Sequence, residues 1–220
     1  MKKLINVFML MFVIPFVIFS LEFTPVCNDP THQFLRRNGY DNCFDVPRRI
    51  SHFVTYTLTR NMVEVSTESR HPFRRDTEVP GSLVTQNYTN SGFDRGHLVP
   101  ASDMNSNPES ARDAGLMTNI VPQFPNFNRH GLWRESERLA QSLARQHEKV
   151  IIVAGPLFMY YIEGFIIPVP SHYFKMFVFN NENGETVYLS YVFPHTNESG
   201  RNIEDYKVPF DEVKLLVNIE

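Results

Sequence analysis

Asp94-Arg95-Gly96-His97 puts groups with chemical reach into one short stretch. A histidine, with an ordinary pKa near ~6.5, can be neutral at working pH and take a proton from water. In an extended chain, residues two apart share a face, so Arg95 and His97 point the same way. Arg95 then offers a planar cationic fork for phosphate. Gly96 lets backbone or substrate come close between them. The same four residues also read as a surface loop with one spare histidine, and the sequence that follows bears on the choice.

Asn119-Ile120-Val121-Pro122-Gln123 comes next, then Asn128, Trp133 and Glu137. The combined pattern of Asp-Arg-Gly-His, Asn-x-x-Pro-Gln, Asn and Trp-x-x-x-Glu resembles the DNA/RNA non-specific endonucleases of the ββα-metal type. That family includes endonuclease G and secreted bacterial nucleases. The resemblance covers most of the chain, from Tyr56 to the C-terminus, with several separate blocks in the right order. It implies an α+β fold: a single domain with a mixed or antiparallel central sheet flanked by helices, in which two strands and a helix carry the site. By the same resemblance His97 matches the general base, Asn128 the magnesium ligand, and Glu137 the acid that orients water around the metal. Arg95 matches the motif arginine near the substrate phosphate, and Asn119 an asparagine that supports the site. Arg70 is the nearest match to a further phosphate-holding arginine, although the local spacing does not align cleanly. Asp94 reads as a structural partner that shapes the turn, and Gln123 and Trp133 as packing and orienting residues.

The chemistry explains why such residues belong together. A phosphodiester resists attack because its oxygens are already negative. Hydrolysis needs a nucleophile, neutralisation of charge at phosphorus and help for the leaving oxygen. A neutral histidine can supply the first and a hard divalent cation the other two. Such a cation prefers oxygen donors and keeps many waters, so a single amide oxygen from Asn128 is a credible protein ligand. The implied reaction is Mg2+-dependent cleavage of DNA and RNA to 5′-phosphate and 3′-hydroxyl ends, with Mn2+ or another divalent cation as a substitute. Low sequence preference follows if contacts are to phosphate and metal. Related nucleases are often dimers, which leaves a homodimer open.

One feature departs from the family. The spacing from Asn128 to Trp133 is one residue longer than usual, and an extra residue turns a helix by about 100°. The reading adopted is that the helix starts one residue later, with Glu135 as the alternative to Glu137. His130, two residues after Asn128, is a minor alternative metal ligand. Without the family, Asn128 reads as an ordinary helix N-cap. A catalytically silent nucleic-acid-binding protein derived from a nuclease is the competing function. It would need a broken site, yet His97, Asn128 and a candidate acid are all present.

The elements that must position these groups are legible in outline. The 220 residues suit one domain with a sizeable core. A net charge of −3 excludes a basic nucleic-acid coat but not a nuclease, because only the groove must be positive. Met1-Lys2-Lys3 followed by the apolar run Leu4–Phe19, which contains Pro15, matches a secretory signal peptide and is short for a membrane span of ~20 residues. The expected organisation is a signal peptide over 1–20, an N-terminal extension over 21–50 and the endonuclease domain over 51–220. That predicts a secreted or periplasmic protein with no stable membrane association after signal removal. Cys27 and Cys43 are the only cysteines. In an exported chain an even count favours a disulfide over free thiols, worth about 3 kcal/mol in the chain-entropy model.

His52–Leu58 alternates like a strand, and Asn61–Ser66 is expected to pair with it. Phe93–Val99 and Met117–Val121, the latter ended by Pro122, are the two strands expected to frame the site. Asn128–Glu148 carries the strongest helical stripe. Lys149–Ala154 reads as a buried strand ended by Gly155-Pro156, and His172–Phe179 with Thr186–Phe193 as a hairpin. Pro209–Val217 reads as a terminal helix or strand.

Overall fold

The computed structural model describes residues 21–65 and 71–219. In chain order the elements are β1 (His32–Arg37), β2 (Tyr40–Asp45), β3 (Ile50–Thr59), α1 (Arg60–Glu64), β4 (Asp94–His97), α2 (Ala101–Met104), α3 (Pro108–Ala114), β5 (Ile120–Gln123), α4 (Pro125–Arg129), α5 (Leu132–His147), β6 (Lys149–Ile162), β7 (Phe165–Asn180), β8 (Thr186–Pro194) and α6 (Phe210–Val217). Six strands form one antiparallel sheet in the order β1-β2-β3-β6-β7-β8, and β4 and β5 form a separate two-stranded ladder. The fold is α+β, a large antiparallel sheet flanked by helices in a single domain. Residues 21–50, set apart in the sequence as an extension, supply β1 and β2 to this sheet.

Strand alternation divides the sheet into two buried faces. Val54, Tyr56 and Leu58 of β3, Val150, Ile152 and Ala154 of β6, and Tyr173 and Phe177 of β7 pack beneath α5. Phe53, Val153, Phe174 and Met176 face the other way, against Val213 and Val217 of α6. Helix α5 presents Leu132, Trp133, Ser136, Glu137, Ala140, Leu143 and Ala144 to the sheet, the i, i+3, i+4 stripe of an amphipathic helix. Cys27 and Cys43 are joined, with Cα atoms 5.5 Å apart, tying the segment before β1 to β2. His32 Nδ1 lies 3.5 Å from Cys43 Sγ. With both sulfurs in the disulfide, Cys27, His32 and Cys43 form no metal centre.

Four expectations need correction. Residues 60–64 form a helix, not a strand: the Thr59 hydroxyl caps it by accepting from Met62 N at 3.3 Å. Gly155-Pro156 does not end β6, which runs on to Ile162. Beyond Ala154 this strand pairs only with β7, so a proline costs no ladder bond on the β3 side. Gly155 is needed where it stands, because a Cβ there would meet His52 O at 2.3 Å. The second site strand starts later than Met117: residues 117–119 form a 3-10 turn, and Pro122 lies inside β5, opposite Arg95.

The fourth correction concerns the long helix, which is two. α4 ends at Arg129, and α5 starts afresh after Gly131. A Cβ on Gly131 would lie 2.9 Å from both Asn126 O and Glu198 O, so the chain turns there at a residue without a side chain.

Candidate active site

β4 and β5 pair antiparallel with His97 opposite Ile120, Gly96 opposite Val121 and Asp94 opposite Gln123. The Gln123 side chain lies over Gly96, where a Cβ would fall 2.1 Å from its Oε1, so the ladder requires glycine at that point. Asn119 fastens the strand end that carries His97. Its Oδ1 accepts from Val99 N at 2.9 Å, while its Nδ2 donates to Val99 O at 3.0 Å and Ala114 O at 2.9 Å. It is fully buried, and this role is architectural. From α5, Trp133 Nε1 donates to the His97 carbonyl at 3.0 Å. The His97 backbone is thus held while its imidazole takes no hydrogen bond from any described residue. Burial pushes that ring down to about 4, so it is neutral throughout the physiological range.

Phe73 packs beside the imidazole, with ring centroids 5.1 Å apart, and the Arg95 guanidinium lies 4.9 Å over the other ring. Arg95 is exposed and forms no ion pair among the described residues. Neutral imidazole and free guanidinium therefore flank one aromatic ring. Phe73 has no signal in the sequence, because the preceding segment gives no periodicity to place it. Arg70 and the expected signal peptide lie outside the described residues.

Asp94 opens β4 and reaches α4. Its Oδ2 accepts from Asn128 Nδ2 at 2.9 Å and Arg129 Nε at 2.7 Å, and its Oδ1 from Arg129 Nη2 at 2.5 Å. Burial raises this carboxyl, but the hydrogen bonds from Arg129 and Asn128 outweigh it and hold the group below its ordinary value. A carboxylate needs donors, so it claims the amide nitrogen of Asn128 and leaves Oδ1 as that side chain's free acceptor. Asn128 therefore lies in the last turn of α4, not at the start of the long helix, and the N-cap reading does not apply.

The extra residue between Asn128 and Trp133 is absorbed in the break between the two helices. Glu137 then falls on the buried face of α5, accepting from Arg134 Nη1 at 2.9 Å. Burial raises its carboxyl, and the Lys175 ammonium opposes that rise. Glu135 lies toward the surface and pairs with Arg138 at 2.5 Å. His130 is exposed.

No pattern in the sequence marks His195, just past β8. Its Nε2 accepts from Phe124 N at 2.7 Å and its Nδ1 donates to Pro170 O at 2.7 Å, which fixes the tautomer. Asn197 holds the next residues of α4: its Oδ1 accepts from Asn126 N and its carbonyl from Asn126 Nδ2, both at 3.0 Å. The helix bearing Asn128 is thus clamped by Asp94 on one side and by residues 195–197 on the other. Tyr173 on β7 donates to the Pro122 carbonyl, tying β5 to the main sheet.

A family model described as DNA/RNA non-specific endonuclease matches residues 22–220. A nuclease from Syncephalastrum racemosum is 28% identical over 211 residues, covering 84% of this chain and 66% of the relative. Human mitochondrial endonuclease G is 27% identical over 199 residues, covering 83% of this chain and 67% of the relative. A nuclease from Nostoc sp. is 27% identical over 215 residues, covering 90% and 76%. The chain thus spans about two thirds of the length of the first two. Among solved structures, a chain from the complex of EndoG with its inhibitor EndoGI superposes with a TM-score of 0.77 at 22% identity, covering 85% of this chain and 84% of that one. That likeness carries the fold alone.

Proposed function

The chain belongs to the DNA/RNA non-specific endonuclease family, and from that premise we propose that it is an exported, divalent-metal-dependent endonuclease acting on DNA and RNA with His97 as general base. The observation that carries the reading is the pairing of groups on one strand. β4 ends in an imidazole kept neutral and taking no hydrogen bond from any described residue, and begins in a carboxylate that engages the Asn128 amide nitrogen and so leaves its oxygen to accept.

That oxygen fits a hard cation such as Mg2+, with Mn2+ as a substitute, since a neutral amide oxygen is a donor such ions accept. Held by the Asn128 oxygen, such a cation would supply charge neutralisation at phosphorus and at the departing oxygen. The chain's own residues do the remainder. His97 takes the proton from the attacking water as the water oxygen bonds to phosphorus and the bond to the 3′ oxygen breaks. The departing 3′ oxygen takes a proton from solvent water and His97 later gives its own back to solvent, so the products are a 5′-phosphate and a 3′-hydroxyl. Arg95, exposed and without an ion pair among the described residues, meets a phosphate oxygen. Glu137 accepts hydrogen bonds from water around the cation and so orients it. Arg70 is assigned a second phosphate contact on the resemblance alone.

Export is supported by the disulfide, since such bonds persist in oxidising compartments, and by the basic-then-apolar N-terminus. Among the described residues no helix is long and apolar enough to cross a membrane. The test is cleavage of plasmid DNA and of RNA by the oxidised protein, with Mg2+ or with chelator, beside His97→Ala. Magnesium-dependent loss of both substrates, absent in the variant, is the expected result. Full turnover by a folded His97→Ala protein would sink the mechanism.

A further inference from the structure

We propose that Lys175 is a positioning residue for this reaction, a buried cation that holds both the Glu137 carboxylate and the Trp133 ring in place; the inference rests on the nuclease reading above. Lys175 lies in the middle of β7, fully buried, and no hydrogen-bond partner reaches its Nζ among the described atoms. Its neighbours on the same face of the strand, Tyr173 and Phe177, are core residues beneath α5. A buried ammonium is costly, and an apolar side chain of similar volume is often at least as stable in such a place. Stability therefore does not explain a lysine here, and its surroundings suggest what does.

Among the described residues, the groups that act on Lys175 are the carboxyls of Glu137 from α5 and Asp103 from α2. Arg134 from α5 and Tyr56 from β3 bond to these acids, and the hydroxyl-bearing rings of Tyr173 on β7 and Tyr191 on β8, opposite Lys175, complete the surroundings. Asp103 is already well supplied, accepting from Tyr56 Oη at 3.0 Å and from Gln141 Nε2 at 2.8 Å. Among the described residues Glu137 accepts one hydrogen bond, from Arg134 on the more exposed side. Lys175 acts on it through charge alone, without reaching hydrogen-bond distance, and is the cation on its buried side among the described residues. Without that cation, two carboxylates and one arginine would remain, and the cheapest adjustment is to protonate an acid. A protonated Glu137 would turn one of its oxygens from an acceptor into a donor and hold water less well.

The second link runs through Trp133. The ammonium lies 3.8 Å from the centroid of this ring, in cation–π geometry. The same indole donates its N–H to the His97 carbonyl at 3.0 Å. One buried charge thus stands behind the acid on α5 and behind the backbone that presents the base.

The test compares the full protein, disulfide formed, with Lys175→Met. The kcat on plasmid DNA in Mg2+ is expected to fall ten- to a hundredfold with KM within twofold. The acid limb of the kcat–pH profile moves to higher pH, because the facing carboxyls have lost their cation. Trp133 is the chain's only tryptophan, so its emission maximum shifts in metal-free protein as the charge over its ring disappears. In a Glu137→Gln background, Lys175→Met produces no shift of the acid limb and a smaller loss of turnover than in the wild type, since only the link through Trp133 remains. If Lys175→Met fails to fold, Lys175→Met with Asp103→Asn, which removes one buried negative charge along with the cation, takes the same measurements. A folded variant with wild-type kcat and pH profile overturns the inference, as do fully multiplicative losses with Glu137→Gln. Absence of cleavage by the wild type would overturn the nuclease reading and this inference with it. Cleavage by the wild type beside an unaffected variant overturns this inference alone.

Discussion

The ends of β4 and β8 each present a histidine whose ring burial pushes down to about 4. By depressed basicity the two are indistinguishable, yet their surroundings differ in kind. At the end of β8, both nitrogens of His195 are committed, one accepting from Phe124 N and one donating to Pro170 O, amid the rings of Phe93, Phe124, Phe127 and Tyr173. At the end of β4, it is the backbone that is held, through Trp133 Nε1 and the side-chain amide of Asn119, while the His97 ring takes no hydrogen bond from any described residue. A perturbed pKa therefore does not separate a chemical group from an architectural one; free hydrogen-bonding capacity does.

Two substitutions test that contrast where it is sharpest. His97→Ala should lower turnover by roughly 10²- to 10⁴-fold, the usual contribution of a general base. It should move the thermal midpoint by no more than a few degrees, since no hydrogen bond to the ring is lost. His195→Ala should do the reverse in order of importance. It leaves Phe124 N and Pro170 O unpaired and opens a cavity among four aromatic rings, a loss of about 3 kcal/mol. Calorimetry and a plasmid assay on both variants decide the matter. A His97→Ala protein destabilised as much as His195→Ala would break the distinction.

The two regions also differ in how far the sequence discloses them. The His97 region is written locally: Asp94 to His97 is one tetrapeptide, β4 falls within the strand expected over Phe93–Val99, and the stripe of α5 is regular. The disulfide follows equally from cysteine count. The His195 region depends on distant partners. Nothing near Pro194-His195 indicates that Phe124, seventy-one residues earlier, supplies a donor. The break between α4 and α5 is hidden for the same reason, because Gly131 is forced by the approach of Glu198 O. Lys175 sits in an unremarkable strand pattern, and only assembly shows it beneath Trp133. Pro156 reads as a strand terminator because sequence does not reveal which side of a strand lacks a neighbour.

Acid should expose what the depressed basicity of His195 contributes to stability. A histidine whose native pKa lies below its unfolded value of about 6.5 binds its proton more readily when unfolded, so stability is full above that value and falls as pH drops toward about 4. For buried His195 the gap corresponds to an upper bound on the order of 3 kcal/mol. Asp103 and Glu137, whose carboxyls burial raises, contribute with the opposite sign, losing stability as pH rises. The informative quantity is therefore a difference. Denaturant midpoints of wild type and His195→Gln, taken from pH 7 to pH 4, should converge toward the acid end, because the glutamine can accept from Phe124 N and does not titrate. Parallel curves would mean that His195 carries no such penalty.

The smallest effect expected comes from Glu135, the alternative acid. It pairs with Arg138 near the solvent, one face away from buried Glu137. Exposed pairs of this kind contribute about 0–1 kcal/mol and are screened by salt. Glu135→Gln should therefore change stability by less than about 1 kcal/mol and turnover by less than twofold, with the stability difference vanishing in high salt. The value of so small a number is what it excludes. The residue inserted before Trp133 would place Glu135 near the catalytic phase only if one continuous helix ran from Asn128. A marked loss of turnover in Glu135→Gln would mean that the helix does not restart at Gly131 in the working protein. Both the assignment of the acid to Glu137 and the role given to Lys175 behind it would then have to be withdrawn.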